Sequence, residues 1–126
     1  MKTTPSVTPG EWRIMQLLWQ KPHTLMELVG TLGASVGWSK STVATMVRRM
    51  EEKFLITHTE QGRTKYFHPA ISQDDAAAAE ADSLLDRAFH GSLGLLVSSM
   101  ARRNALSKED IDELYAILQN AKEDAK

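Results

Sequence analysis

The residues best suited to chemistry lie in one stretch, residues 38–54, which reads WSKSTVATMVRRMEEKF. At 100° per residue, hydroxyl side chains and arginines share one side of a predicted helix, opposite an apolar stripe. Short hydroxyls hydrogen-bond to base edges and arginines bind phosphates, so this side is typical of a helix that enters the major groove of DNA. The pattern predicts base contacts from Lys40, Ser41, Thr42 and Thr45, and phosphate contacts from Arg48 and Arg49.

An apolar stripe on the other side of this helix must hold it against a core. It consists of Val43, Met46, Val47, Met50 and Phe54. Ser39 precedes the stripe and is expected to cap the helix by accepting a hydrogen bond from the free amide of Thr42. The stretch therefore predicts a recognition helix with one packed side and one exposed side.

Two capping boxes, each a threonine followed three residues later by glutamate, predict two helices before the recognition helix. The first begins at Thr8 and stops before Pro22, and the second begins at Thr24 and closes near Gly33. A small-residue turn over residues 34–37 then leads into the recognition helix. Three helices with such short connections predict a helix-turn-helix.

The periodicity changes after the recognition helix. Residues 55–59 and 64–68 are β-prone, and Gly62 between them can supply the positive φ of a hairpin turn. A hairpin directly after a recognition helix is a wing. Arg63 at its tip and Lys65 on its flank are predicted to contact phosphates.

Beyond residue 70 the pattern predicts three helices with narrow apolar stripes. Gly91 and Gly94 interrupt the helical pattern after the first of these helices, and Ser107 caps the last one. About 60 residues of this kind make a marginal core, so burial against a second copy is expected. The predicted fold is mainly α with a small β-hairpin: a winged helix-turn-helix over residues 1–70 and a helical dimerisation region over residues 71–126. The predicted dimerisation residues are Leu84, Leu85, Phe89, Leu95, Leu96, Ile111, Leu114, Tyr115 and Leu118.

Composition excludes several classes of protein. The 126 residues are 42% hydrophobic and 25% charged, which is ordinary for a soluble globular chain. No cysteine is present, so disulfides, thiolate metal sites and cysteine nucleophiles are excluded. The first ten residues lack the apolar run of a secretory signal, and no stretch is apolar enough for membrane insertion. We expect a cytoplasmic protein.

Charge is distributed unevenly along the chain. Residues 1–70 hold nine Lys and Arg against five Asp and Glu, whereas residues 71–126 hold six against eleven. A basic half beside an acidic half suggests that only the first half meets a polyanion.

The other candidate residues have simpler explanations than a reactive site. The three tryptophans are expected to pack in the core, and the four histidines lack the spacing of metal ligands. The acidic cluster over residues 109–113 suits the first turn of a capped helix, and Ser92 lacks the context of a nucleophile elbow. The sequence predicts neither an enzyme nor a bound cofactor.

In this order, the motifs resemble the penicillinase-repressor family of bacterial regulators, which includes BlaI, MecI and CopY. The resemblance covers nearly the whole chain. It rests on EWRIMQLLW (11–19), WSKSTVATMVRRM (38–50), GRTKYFHP (62–69) and LSKEDIDELYAIL (106–118). It implies a homodimeric repressor that binds a palindromic operator and blocks transcription.

Some of the family's functional residues have counterparts in this chain and others do not. Thr42, Thr45 and Arg49 match residues that the family's recognition helix presents to DNA, and Arg63 matches the wing arginine. The β-lactam branch often has lysine at the position of Ser41. The copper branch has a cysteine metal motif, which this chain lacks.

In the β-lactam branch, a membrane-linked signal leads to cleavage of an Asn-Phe bond in the dimerisation region. The aligned pair here is Ser99-Met100, so the resemblance implies a signalling protease as a further partner and this bond as its target.

The most economical interpretation is a homodimeric DNA-binding repressor. Two alternatives stay open. One is a winged-helix regulator that senses a small effector at its dimer interface. The other is a protein-interaction module whose winged helix does not meet DNA.

Overall fold

The computed structural model describes residues 5–125. The four N-terminal residues, which belong to the stretch judged to lack a secretory signal, and Lys126 lie outside the described residues. The chain divides into two compact units, the first up to Ala81 and the second from Asp82. The elements in chain order are α1 (Pro9–Gln20), α2 (Leu25–Val36), α3 (Lys40–Glu52), β1 (Ile56–Gln61), β2 (Thr64–Pro69), α4 (Gln73–Phe89), α5 (Leu93–Arg102) and α6 (Lys108–Asp124). The predicted fold, mainly helical with a hairpin wing, is confirmed.

The predicted capping boxes are present at the starts of α1 and α2. The Thr8 hydroxyl accepts from the amide of Glu11, whose carboxylate accepts from the Thr8 amide. Thr24 and Glu27 repeat this exchange at α2. The hydrogen bond from the Thr24 backbone holds the pKa of Glu27 below its usual value. Both helices therefore begin where local sequence chemistry predicts.

The end of α2 differs from the prediction. The helix continues through Val36 rather than closing near Gly33, because nothing in residues 34–36 breaks it. Gly37 ends it with a φ of 72°, a left-handed conformation that glycine adopts without steric cost. The Gly37 amide donates to the Gly33 carbonyl oxygen and the Trp38 amide to that of Leu32. The turn into α3 is therefore only three residues long.

One core lies under the three helices and the hairpin of the first unit. It consists of Val7, Ile14, Met15, Leu18, Leu28, Leu32, Val43, Val47, Met50, Leu55, Ile56 and Phe67. All three tryptophans are partly buried against it, as predicted, and the Trp12 and Trp19 rings meet edge-on at 5.5 Å. The Trp19 indole N–H donates to the Ile71 carbonyl oxygen at 3.0 Å, which ties α1 to the segment after the wing.

Phe54 departs from the prediction that it extends the apolar stripe of α3. The helix ends at Glu52, and Phe54 adopts a φ of 63° with its side chain 78% exposed. The reversal lets Leu55 and Ile56 enter the core, both nearly fully buried. Leu55 and Ile56, and not Phe54, therefore join the core after α3.

Glu11 links the start of α1 to the end of α3. Its carboxylate, in a side chain only 9% exposed, accepts from Lys53 Nζ at 2.8 Å while it also caps α1.

We expect Glu11→Ala to lower the free energy of unfolding by about 2 kcal/mol, because a cap and a partly buried ion pair are lost together. Urea denaturation would measure the change. Glu27→Ala is the matched control: it removes a capping box without an ion pair and should cost clearly less, so equal losses would contradict a role for Lys53.

The second unit contains the end of α4 together with α5 and α6. His90 and Gly91, both at positive φ, end α4 as expected, but Gly94 lies inside α5 rather than interrupting a helix. Ser107 caps α6 with Asp110 as its capping-box partner. Within residues 82–125 no side chain is fully buried.

Candidate nucleic-acid interface

The outward side of α3 presents the residues predicted to contact bases. Ser39 accepts from the Thr42 amide at 3.2 Å, so the predicted cap is present, and its own hydroxyl donates to Thr42 Oγ1 at 3.1 Å. Lys40, Ser41 and Thr42 are exposed and Thr45 is partly buried. Because Thr42 Oγ1 already accepts this bond, its hydroxyl proton stays available to an acceptor beyond the helix.

The two arginines of α3 follow on the same exposed surface. Val47 and Met50 are buried beside them, at 4% and 0% exposure, while Arg48 and Arg49 are exposed. The apolar side chains fix the rotation of the helix about its axis. The arginines must therefore project away from the core.

The wing is a two-stranded antiparallel hairpin. Gln61 pairs with Thr64, so the turn consists of Gly62 and Arg63, with Gly62 at a φ of 65°. The first strand, β1, extends two residues further toward the tip than predicted, whereas β2 begins at Thr64 as predicted, and Arg63 lies in the turn itself. Lys65 pairs in register with Glu60 and is exposed.

Two contacts that the sequence did not predict hold the wing against the helices. The connection between α1 and α2 adds a bridge to β2: the Phe67 amide donates to the His23 carbonyl oxygen at 2.8 Å, and the His23 amide donates back at 3.3 Å. The His58 Nδ1–H of β1 donates to the Glu51 carboxylate of α3 at 2.5 Å. Both join residues on different elements, so no local spacing signals them.

A groove of about 450 Å³ lies between the start of α2, α3 and the wing. Its floor is apolar, with Leu25, Val47 and Phe67 among its residues. Its charged lining consists of Arg48, Glu51, Arg63 and Lys65. The structure thus brings three of the four predicted phosphate-binding cations to one groove, while Arg49 and the predicted base-contacting residues lie outside its lining.

The cations of this surface are not engaged by the protein itself. Within residues 5–125, none of the five forms an ion pair with a carboxylate: Lys40, Arg48, Arg49, Arg63 and Lys65. An unpaired cation can bind a phosphate without first breaking an internal contact. The surface is therefore suited to a polyanion.

The predicted dimerisation residues belong to the second unit and leave apolar surface exposed. Tyr115 is 73% exposed, Leu118 58% and Ile111 42%. With Leu114 they follow the i, i+3, i+4, i+7 spacing of a single helical stripe. Leu84 and Leu95 are also exposed, whereas Leu85, Phe89, Leu96 and Leu114 are partly buried.

The bond between Ser99 and Met100 lies in α5, three residues before the helix ends. Ser99 is partly buried and Met100 is 37% exposed. A protease binds its substrate in an extended conformation, so access to this bond requires the last turn of α5 to open.

Two further properties concern only the part of the chain that the structure describes. In residues 5–125, no three His, Asp or Glu side chains are grouped so as to hold a metal ion. Over the same residues, no helix has both the length and the apolar content needed to cross a bilayer.

Solved structures resemble part of the chain. The solution structure of the DNA-binding domain of the repressor BlaI matches with 28% identity and a TM-score of 0.53, over 60% of this chain and 93% of that one. The monomeric form of Bacillus licheniformis BlaI, solved in complex with the blaP half-operator, matches with the same values. The winged-helix fold is therefore shared with a solved DNA-binding domain.

Sequence relatives extend over nearly the full length. The penicillinase repressor of Bacillus licheniformis is 30% identical over 123 residues, 97% of this chain and 96% of that protein. The methicillin resistance regulatory protein MecI of Staphylococcus aureus (strain N315) is 21% identical over 91% of this chain and 94% of its own length. The family described as penicillinase repressor matches residues 7–120. This chain belongs to the penicillinase repressor family, which is a family of transcriptional repressors and not of enzymes.

Proposed function

We propose that the protein is a DNA-binding repressor that acts as a homodimer on a palindromic operator and blocks transcription. Residues 1–70 bind DNA and residues 71–126 form the dimer. One observation carries the proposal: α3 and the wing present exposed hydroxyls and five exposed cations that form no ion pair with a carboxylate of residues 5–125. Its relatives are repressors, and one of them, BlaI, was solved with a half-operator.

In this proposal α3 lies in the major groove. Base edges are read by Lys40, Ser41, Thr42 and Thr45, and phosphates are bound by Arg48, Arg49, Arg63 and Lys65. Hydroxyls near the N-terminal end of a recognition helix reach base edges, and the cations further along set its register on the backbone. Because the operator is DNA, we place the protein in the cytoplasm of a bacterium.

Dimerisation would pair two such surfaces. The exposed stripe of α6 and the apolar residues of α4 and α5 bury little within one chain, and a second copy supplies the missing core. A two-fold dimer places its recognition helices in successive major grooves, about 10 base pairs or a multiple of that apart. Half-sites at that spacing form a palindrome.

Release from DNA then follows from loss of the dimer. Cleavage of the Ser99-Met100 bond by a signalling protease would separate α6 and its apolar stripe from the rest of the chain. Each remaining winged helix would bind one half-site, without the gain in affinity that linkage provides. Transcription would resume.

The dependence of DNA affinity on salt tests the proposal. Four phosphate-binding cations per protomer predict a log–log slope of the association constant of about −3.6 per protomer, since each contact contributes roughly −0.9. Lys65→Ala should reduce the magnitude of the slope by about 0.9 per protomer. Fluorescence anisotropy at several salt concentrations measures it.

Lys122→Ala provides a matched control, because Lys122 is an exposed cation of the second unit. Its slope should equal that of the unmodified protein. A protein retained on DNA with no salt dependence, or not retained at all, would support the protein-interaction module instead.

A further inference from the structure

The first turn of α3 differs from the first turns of α1, α2 and α6. Those three helices have an acidic residue three positions after the cap, and its carboxylate accepts from the backbone amide of the cap; the residues are Glu11, Glu27 and Asp110. In α3 the same position holds Thr42, and the first turn contains no acidic residue. A carboxylate there would repel the phosphates of DNA, whereas a hydroxyl is neutral and still forms hydrogen bonds.

Ser39 and Thr42 are joined by two hydrogen bonds, and both residues are exposed. The Thr42 amide donates to Ser39 Oγ at 3.2 Å, and the Ser39 hydroxyl donates to Thr42 Oγ1 at 3.1 Å. Each hydroxyl has one proton, and only one proton lies between the two oxygens. The pair therefore keeps one proton, that of the Thr42 hydroxyl, which donates to no acceptor within residues 5–125.

A hydroxyl on a helix commonly donates to a backbone carbonyl of the preceding turn. Ser35 of α2 does so, because its hydroxyl donates to the Thr31 carbonyl oxygen at 2.9 Å. Thr42 does not, and the bond from Ser39 restrains its rotamer. A hydroxyl that accepts one hydrogen bond is also polarised into a stronger donor of the next one. The Ser39 hydroxyl thus keeps the Thr42 proton available outside the helix.

We propose that Ser39 is a positioning residue of the DNA interface, which holds the Thr42 hydroxyl as a donor toward an acceptor on a base edge. The inference rests on the proposed function, in which Thr42 reads a base of the operator. The acceptors in the major groove are N7 and O6 of guanine, N7 of adenine and O4 of thymine, whereas the amino groups of cytosine and adenine are donors. Ser39 thus determines part of the sequence specificity without contacting a base itself.

The experiment measures the affinity of the full chain for a fluorescent duplex of about 40 base pairs, four helical turns, taken from upstream of its own gene. Competition by duplexes in which each base pair is substituted in turn gives the preference of the protein at every position. The variants are Thr42→Val, Ser39→Gly and the two combined, with Ser39→Thr as the conservative replacement. Thr8→Gly is the matched control, because it removes the cap of another helix in the same unit.

We expect Thr42→Val to lose a preference of about tenfold at one base pair, because one hydrogen bond to a base edge is lost. Ser39→Gly should lose the preference at the same base pair, since glycine is tolerated as a cap but has no hydroxyl. The combined variant should lose no more than Thr42→Val alone, because both residues act through one proton. Ser39→Thr and Thr8→Gly should keep the preference at every position.

A serine that only caps the helix would give a different result. Ser39→Gly would then weaken binding to every duplex by the same factor and keep all the preferences, or its effect would multiply with that of Thr42→Val to about a hundredfold. Either outcome overturns the inference and leaves the proposed function intact, as does a Thr42→Val variant that keeps every preference. Absence of salt-dependent DNA binding by the unmodified chain refutes the proposed function itself.

Discussion

Tyr115→Asp combined with Leu118→Asp is expected to lower affinity for a two-half-site operator by about a hundredfold or more. The two side chains are 73% and 58% exposed in the single chain, so charging them leaves that chain's own packing intact. In a dimer, both would place carboxylates in an apolar interface. Analytical ultracentrifugation would measure the fraction of dimer, and fluorescence anisotropy would measure the affinity for DNA.

The control is Ala116→Asp combined with Asn120→Asp. These positions lie on the opposite side of α6 at 100° per residue and add the same charge. This variant should stay dimeric with full affinity. A duplex with a single half-site should bind both variants and the unmodified chain about equally, because one winged helix suffices there. A charged-stripe variant that stays dimeric and binds the full operator normally would refute the proposed interface.

The second prediction with a large effect distinguishes recognition of the DNA base sequence from binding to the DNA phosphate backbone. Thr45→Ala should reduce discrimination between operator and random DNA by about tenfold, because one base contact is worth roughly 1–3 kcal/mol. Arg49→Ala should weaken both duplexes alike, again by about tenfold, because it removes a charge-assisted contact to a phosphate. Competition titrations with the two duplexes measure the ratio.

Arg13→Ala is the matched control for both variants. Arg13 is an exposed arginine on α1, outside the proposed interface, and its removal should leave affinity and discrimination unchanged. If Thr45→Ala and Arg49→Ala both bind operator and random DNA as tightly as the unmodified protein, α3 is not the recognition helix.

The starts of the helices could be predicted from neighbouring residues alone. A threonine followed three residues later by glutamate satisfies two backbone amides within one turn, so Thr8 and Thr24 could be recognised without knowledge of the fold. The side of α3 that is exposed was also predictable. Val43, Val47 and Met50 lie on one stripe and can be buried only together.

The error at Phe54 arose where tertiary packing outweighs a local preference, whereas the error at the end of α2 was one of local sequence. Phe54 continues the apolar period of α3, yet it lies outside the helix, and Leu55 and Ile56 after it are buried in the core. Gly33 resembles a helix end, but the stop occurs at Gly37, whose positive φ turns the chain toward α3.

From the sequence alone it could be determined which segments form helices and strands, which side of each is apolar, and which cations stand on the exposed side of α3. These properties depend on residues within a few positions of one another. Only the tertiary structure decided that Arg48, Arg63 and Lys65 share a groove, that His23 bridges to Phe67, and that His58 meets Glu51. Those contacts join separate elements, and their geometry follows from how the whole core packs rather than from any spacing along the chain.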